Sequence, residues 1–149
     1  MNAARTIATM LIVAGALSTS VAAAEDVKIS LKELPAPVRQ AVDQNLLGGT
    51  IKGVSKEIEK GQTFYEIETI RSGHARDLLF DAEGHLVAVE EVVALEAVPA
   101  AVRTAFTAQG KVIKVETVTK GADVSYEAVI ESGGKKREVM VDGAGKPMP

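Results

Sequence analysis

The 149-residue chain contains no cysteine and no tryptophan, and its aromatic side chains are two tyrosines and three phenylalanines. Without cysteine there is no disulfide framework, no thiol nucleophile and no site for lipid attachment. Basic residues are not in excess either: 17 Lys and Arg stand against 20 Asp and Glu. That balance argues against nucleic acid, whose binding depends on cations that neutralise phosphates. Histidine occurs twice, at His74 and His85, beside turns at opposite ends of one strand-like segment. Extended chain rises about 3.3 Å per residue, so the two are too far apart to share a metal. Also missing are a Gly-x-Ser-x-Gly elbow, a phosphate-binding loop and a His-Glu-x-x-His helix. The chain therefore reads as a non-enzyme with no metal and no cofactor.

Long apolar runs are absent beyond the N-terminus. Met1 to Arg5 carries one positive charge, Ile7 to Leu17 is a short apolar run, and Val21-Ala22-Ala23-Ala24 supplies small residues before Glu25. Residues 1–24 thus read as a secretory signal peptide cleaved before Glu25. A retained anchor needs roughly 20 apolar residues, about twice this run. The mature protein is expected in the periplasm or outside the cell, with no membrane span.

What the sequence does contain is a repeat. Leu31, Pro35, Ala36, Val38, Arg39 and Ala41 recur 64 positions on as Leu95, Pro99, Ala100, Val102, Arg103 and Ala105. Further along the offset is 61: Val54, Tyr65, Glu66, Gly73, Arg76 and Gly84 recur as Val115, Tyr126, Glu127, Gly134, Arg137 and Gly145, and Asp81 as Asp142. Two copies of one supersecondary unit are implied, at 25–93 and 94–149.

Each copy opens on a helix. Val38, Ala41, Val42 and Leu46 fall at helical spacing after Pro35 and Pro37, with Gly48-Gly49 as the stop. Val102, Ala105 and Phe106 repeat the pattern between Pro99 and Gly110. The period then changes to two, as in Phe64 to Ile70 and Arg76 to Asp81, with turn signals at Lys60-Gly61, Ser72-Gly73 and Asp81 to Gly84. The second copy has matching turns at Lys120-Gly121, Gly133-Gly134 and Asp142 to Gly145. His85 to Val92 adds a fourth strand to the first copy, whereas the second ends at Pro149 with that strand missing or vestigial.

A unit of about 60 residues is marginal alone, so both copies are expected in one compact body. The predicted class is α+β: two helix-plus-antiparallel-meander repeats, with the helices on one face of a continuous or abutted sheet.

The Leu-Pro-x-x-Val-Arg helix start, the Tyr-Glu strand, Gly-x-x-Arg and the closing Asp-x-x-Gly together resemble the PepSY-like, beta-lactamase-inhibitor-protein-like group of exported bacterial proteins. The likeness spans almost the whole mature chain. It implies a helix packed on an antiparallel sheet, in tandem, and a role in binding or restraining other proteins, such as envelope peptidases. The chain departs from the beta-lactamase inhibitor itself, which has an aromatic-rich concave sheet and disulfides.

Side chains that the two copies do not share, the open-face Glu66, and charges at strand starts are the candidate partner-binding residues: Phe64, Glu66, Glu68, Arg76, Lys135, Lys136 and Arg137. Tyr65 and Tyr126 are read as core residues, and Glu66 and Glu68 as exposed strand carboxylates within reach of Arg76. Arg39 and Arg103 lay their stems over the sheet, and Asp81 and Asp142 form turns. Exposed carboxylates lack the environment that general acid and base work requires.

Two functional classes fit these observations. One is an exported, non-catalytic module that binds, and inhibits or restrains, another envelope protein. The alternative is a periplasmic sensor that holds a small ligand or cation between the copies.

Overall fold

The computed structural model describes residues 25–148 except Lys60; the expected signal segment, 1–24, lies outside the described residues. Eight strands form one antiparallel sheet in sequence order. They are β1 (Glu25–Lys28), β2 (Thr50–Glu59), β3 (Gln62–Arg71), β4 (His74–Asp81), β5 (Leu86–Val92), β6 (Lys111–Lys120), β7 (Asp123–Ser132) and β8 (Lys135–Asp142). Helix α1 (Ala36–Asn45) lies between β1 and β2, and α2 (Ala100–Thr107) between β5 and β6. The β5 to β6 pairing, from Val89 opposite Thr119 to Val92 opposite Glu116, makes one continuous sheet of the two halves.

Proline fixes both helix starts, because Pro35 and Pro99 occupy the N-cap positions with φ near −53° and −52°. Val38 and Val42 of α1 pack with Leu34 against Tyr65, Ile67, Leu78 and Phe80. In the second half, Val102 and Phe106 of α2 pack against Val115, Ala128, Ile130 and Val141. Both tyrosines take the expected side, with Tyr65 inside the first cluster and Tyr126 packed against the second.

Ser72-Gly73 and Gly133-Gly134 are two-residue hairpin turns with positive φ at both positions, the geometry that matches strand twist. Asp81 Oδ1 accepts from the Glu83 and His85 amides, and Asp142 Oδ1 from those of Ala144 and Lys146. These turns seat the helices: a Cβ on Gly84 would meet the Pro37 carbonyl oxygen at 2.7 Å, and one on Gly145 the Ala101 oxygen at 2.6 Å.

One detail differs from the sequence reading, the strand ahead of the first helix, and one agrees with it, the vestigial return strand of the second half. A short first strand, β1, precedes the helix and pairs with β2; four residues carry too little periodicity to announce it. The second-half return strand is reduced to a bridge between Val141 and Pro147 and one bond from the Met148 amide to the Met140 carbonyl.

Candidate interaction face

Side chains alternate across a strand, so the neighbours of the helix-packed residues point the other way. On β3 these are Phe64, Glu66 and Glu68; on β7 they are Ser125, Glu127 and Val129. None of the six belongs to either helix-packed cluster. Phe64 instead joins Leu79, Ala88 and Val118 in a third buried cluster, with Met140 packed against it. Phe64 is only 7% exposed and Val118 1% although neither helix contributes to this cluster. Side chains on this face therefore shield one another.

Carboxylates crowd the rest of the face. One cross-strand row runs Gly53, Glu68, Asp77, Glu90, Val118 and Ser125. Beside it Ser55 faces Glu66, and Glu116 faces Glu127, which in turn faces Met140. Contrary to the expectation of exposed strand carboxylates, Glu66 is 6% exposed, Glu116 4% and Glu127 7%. Alternation with apolar residues normally marks a solvated face; here the mutual shielding removes the solvent.

Burial penalises the charged form, and like charges add to the penalty. Burial first, then Glu57, Asp77 and Glu90, pushes the Glu66 carboxyl up to about 9. The same cause, reinforced by Glu127, Glu116 and Asp77, raises Glu90 to about 8. Glu127 is raised to about 7, again by burial and then by Glu138 and Glu116. Three side chains of this face thus hold protons well above the usual carboxylate range.

The two halves solve the same local problem differently. Ser55 Oγ donates to Glu66 Oε2 at 3.4 Å. Sixty-one positions on, the serine is replaced by Glu116, whose Oε2 is engaged by Lys114 Nζ at 2.7 Å. Glu127 consequently faces a carboxylate rather than a hydroxyl, and its buried Oε1 has no hydrogen-bond partner. The Gly53 and Glu68 pair of the first half becomes Lys114 and Val129 in the second. The Glu68 carboxylate lies over Gly53, where a Cβ would be 2.8 Å from Oε2.

Phe64, Glu66 and Glu68 therefore share one face. Arg76 does not join them, which corrects its reading as a surface residue opposite the glutamates. It pairs with Thr69, is 6% exposed, and donates from Nη1 to the Asn45 carbonyl at the end of α1. Arg137 likewise turns toward a helix end, donating to Gln109 Oε1 at 2.8 Å. Lys135 and Lys136 are exposed at the start of the edge strand β8, opposite Ser132 and Glu131. Sequence reasoning missed Glu90, Glu116 and Glu127 as members of the face; the replacement of Ser55 by Glu116 at the repeat offset was the available signal.

His85 Nδ1 lies 2.8 Å from Asp81 Oδ2 and its side chain is 78% exposed. Among the described residues no group of three or more His, Cys, Asp or Glu is placed to hold a metal ion. No described helix is long and apolar enough to cross a membrane. A cavity of about 370 Å³ opens at one end of the face, between Gln62 to Phe64 on one side and Asp81 to Glu83 with Val87 on the other.

No family model matches the sequence, and no curated protein does so significantly. Solved structures share the fold. A protein from Bacteroides eggerthii described as periplasmic superposes with a TM-score of 0.64 at 20% identity, covering 77% of this chain and 86% of its own. For a DUF2874 family protein from Bacteroides ovatus the TM-score is 0.62 at 17% identity, over 77% and 84% of the two chains. A BLIP-like protein from Bacteroides fragilis gives 0.59 at 21% identity, over 77% and 83%. At these identities the likeness is one of fold.

Proposed function

We propose that this chain is an exported, non-catalytic protein-binding module of the periplasm or extracellular space, and that the acidic face holds or restrains another envelope protein. The observation that carries the reading is the third apolar cluster, Phe64, Leu79, Ala88 and Val118, set among carboxylates on a face to which neither helix contributes. Apolar centres with a charged surround are the anatomy of protein interfaces. The BLIP-like and periplasm-assigned neighbours support the same reading at the level of fold. So does the missing catalytic inventory of the sequence.

The reading takes the halves as tandem copies with both helices over one side of the sheet. The unbroken register from Leu78 to Val89 to Thr119, in phase with Val115, supports that arrangement. Restraint of a peptidase is one form such binding takes. The cavity beside Phe64, lined by residues of the first half, does not itself support the sensor alternative.

The test is capture from the native envelope by the mature protein, residues 25–149, with Glu68→Lys and Glu96→Lys variants beside it. Recovery of one stoichiometric protein that Glu68→Lys loses and Glu96→Lys keeps is the expected result. Recovery of no such protein, or equal recovery by both variants, overturns the reading.

A further inference from the structure

On the acidic face the buried Oε1 of Glu127 is left without a hydrogen-bond partner among the described residues. Its surroundings do not supply a cation to it directly. On β6 the facing groups are Glu116, Lys114 and Lys120; on β8 they are Met140 and Glu138; and Glu90 reaches it from β5. Lys114 Nζ is already engaged by Glu116. A buried acceptor without a donor forfeits its hydration with nothing in exchange, and more so when charged. The sequence keeps this cost at the position where the first half has a serine to relieve it.

We propose that the acidic face is a receptor for a basic polypeptide segment, with a Lys or Arg side chain of that segment paired to Glu127. The inference rests on the protein-binding reading and adds the chemistry of the partner. Charge complementarity carries it. From Glu66 on β3 to Glu127 on β7 is four strand spacings, roughly 19 Å across the sheet, with an offset of four residues, roughly 13 Å, along the strands, a diagonal that about seven residues of extended chain cover. Along that path lie the carboxyls of Glu66, Glu90 and Glu127, and the half-buried Met140, packed over the buried Leu79 and Val118, offers apolar surface for the aliphatic stems of Lys and Arg. Met140 lies directly opposite Glu127, and its unbranched side chain swings aside at little cost. A fixed small cation is the poorer fit, since no described carboxyl group is arranged as a chelate.

Pairing makes a proton part of the equilibrium. A bound ammonium or guanidinium favours the ionised carboxylate, so a Glu127 that is protonated in the free protein gives up its proton on binding. Affinity therefore falls as pH drops below about 7, by about tenfold per pH unit for one released proton.

The probe is a hexalysine peptide titrated calorimetrically into the mature protein, with a Gly-Ser hexapeptide as control, in two buffers of different ionisation enthalpy. At about pH 8 hexalysine binds and the control does not; at about pH 6 binding is roughly tenfold weaker and its heat depends on the buffer, reporting proton release. Glu127→Gln weakens binding about tenfold, flattens this pH dependence, and raises the thermal midpoint at pH 8. The last result separates a binding carboxylate from a structural one. Glu96→Gln changes none of these. The proposal is overturned if hexalysine does not bind, binds Glu127→Gln equally well, or binds without pH dependence. In any of those cases, an envelope partner still lost by Glu68→Lys leaves the protein-binding reading standing.

Discussion

Arg76 Nη1 donates to the carbonyl oxygen of Asn45 at 3.1 Å, so a strand residue closes the last turn of α1. The final carbonyls of a helix lack partners within it, and a cation there also meets the negative end of the helix dipole. Because Arg76 is buried, Arg76→Ala leaves the Asn45 carbonyl unsatisfied and opens a void. A loss of about 1–3 kcal/mol in urea-unfolding free energy is expected. Arg137→Ala, which removes an exposed bond to a side-chain amide, costs below about 1 kcal/mol.

The pair also marks where sequence stops being legible. The helix starts at Pro35 and Pro99, the turns at Ser72-Gly73 and Gly133-Gly134, and the inward Tyr65 follow from local chemistry that residues impose on their own backbone. The side taken by Arg76 does not. It depends on the two-residue turn that pairs Arg71 with His74 and hence Thr69 with Arg76, and a shift of one residue would reverse it. The face of the sheet was legible in part: Phe64, Glu66 and Glu68 follow from alternation, but the burial of Glu66 and Glu127 does not. It arises from shielding by side chains on other strands, which no local window contains.

The turn glycines that match best between the halves are docking points. Gly84 has φ of +89° and Gly145 of +77°, and each presses against a first-turn carbonyl of a helix. Gly84→Ala and Gly145→Ala combine backbone strain with a clash against backbone, and each should lower stability by about 1–3 kcal/mol. Gly61 has φ of +80° and nothing within 4 Å of the place a methyl group would take. It isolates the strain alone, so Gly61→Ala should cost about 1 kcal/mol. Equal losses at all three sites in thermal unfolding would show that the close approach contributes nothing.

Stability should fall as pH rises from weakly acidic to alkaline. Glu66, Glu90 and Glu127 are raised from 4.5 to about 9, 8 and 7. Between 4.5 and those values the folded chain binds protons that the unfolded chain has lost, which makes the slope of stability against pH negative. The benefit is complete below about 4.5 and is lost as pH climbs through 7 to 9. Each pH unit over which one such group stays protonated only in the fold is worth about 1.4 kcal/mol. Thermal melts of residues 25–149 should therefore give a higher midpoint at about pH 5 than at about pH 8, and Glu66→Gln should narrow that gap by raising the alkaline value.

Glu116→Ser tests why Glu127 is orphaned, by giving the second half the pairing that Ser55 and Glu66 have in the first. Two effects act in the same direction. Removal of the Glu116 charge takes away one of the two like charges that raise Glu127, and Lys114, released from its 2.7 Å partner, becomes available to the vacated acceptor. The titration of Glu127 should move down toward the usual carboxylate range, as read by carboxyl carbon chemical shifts across pH. Loss of the Lys114 pair is a modest cost, because Lys114 is 37% exposed and such pairs contribute about 1 kcal/mol or less. Folding should survive the change, and affinity for hexalysine should fall, since Lys114 then occupies the carboxylate offered to the partner. A Glu127 titration that stays near 7 would mean that burial and Glu138, and not the exchange of serine for glutamate, set the character of this site.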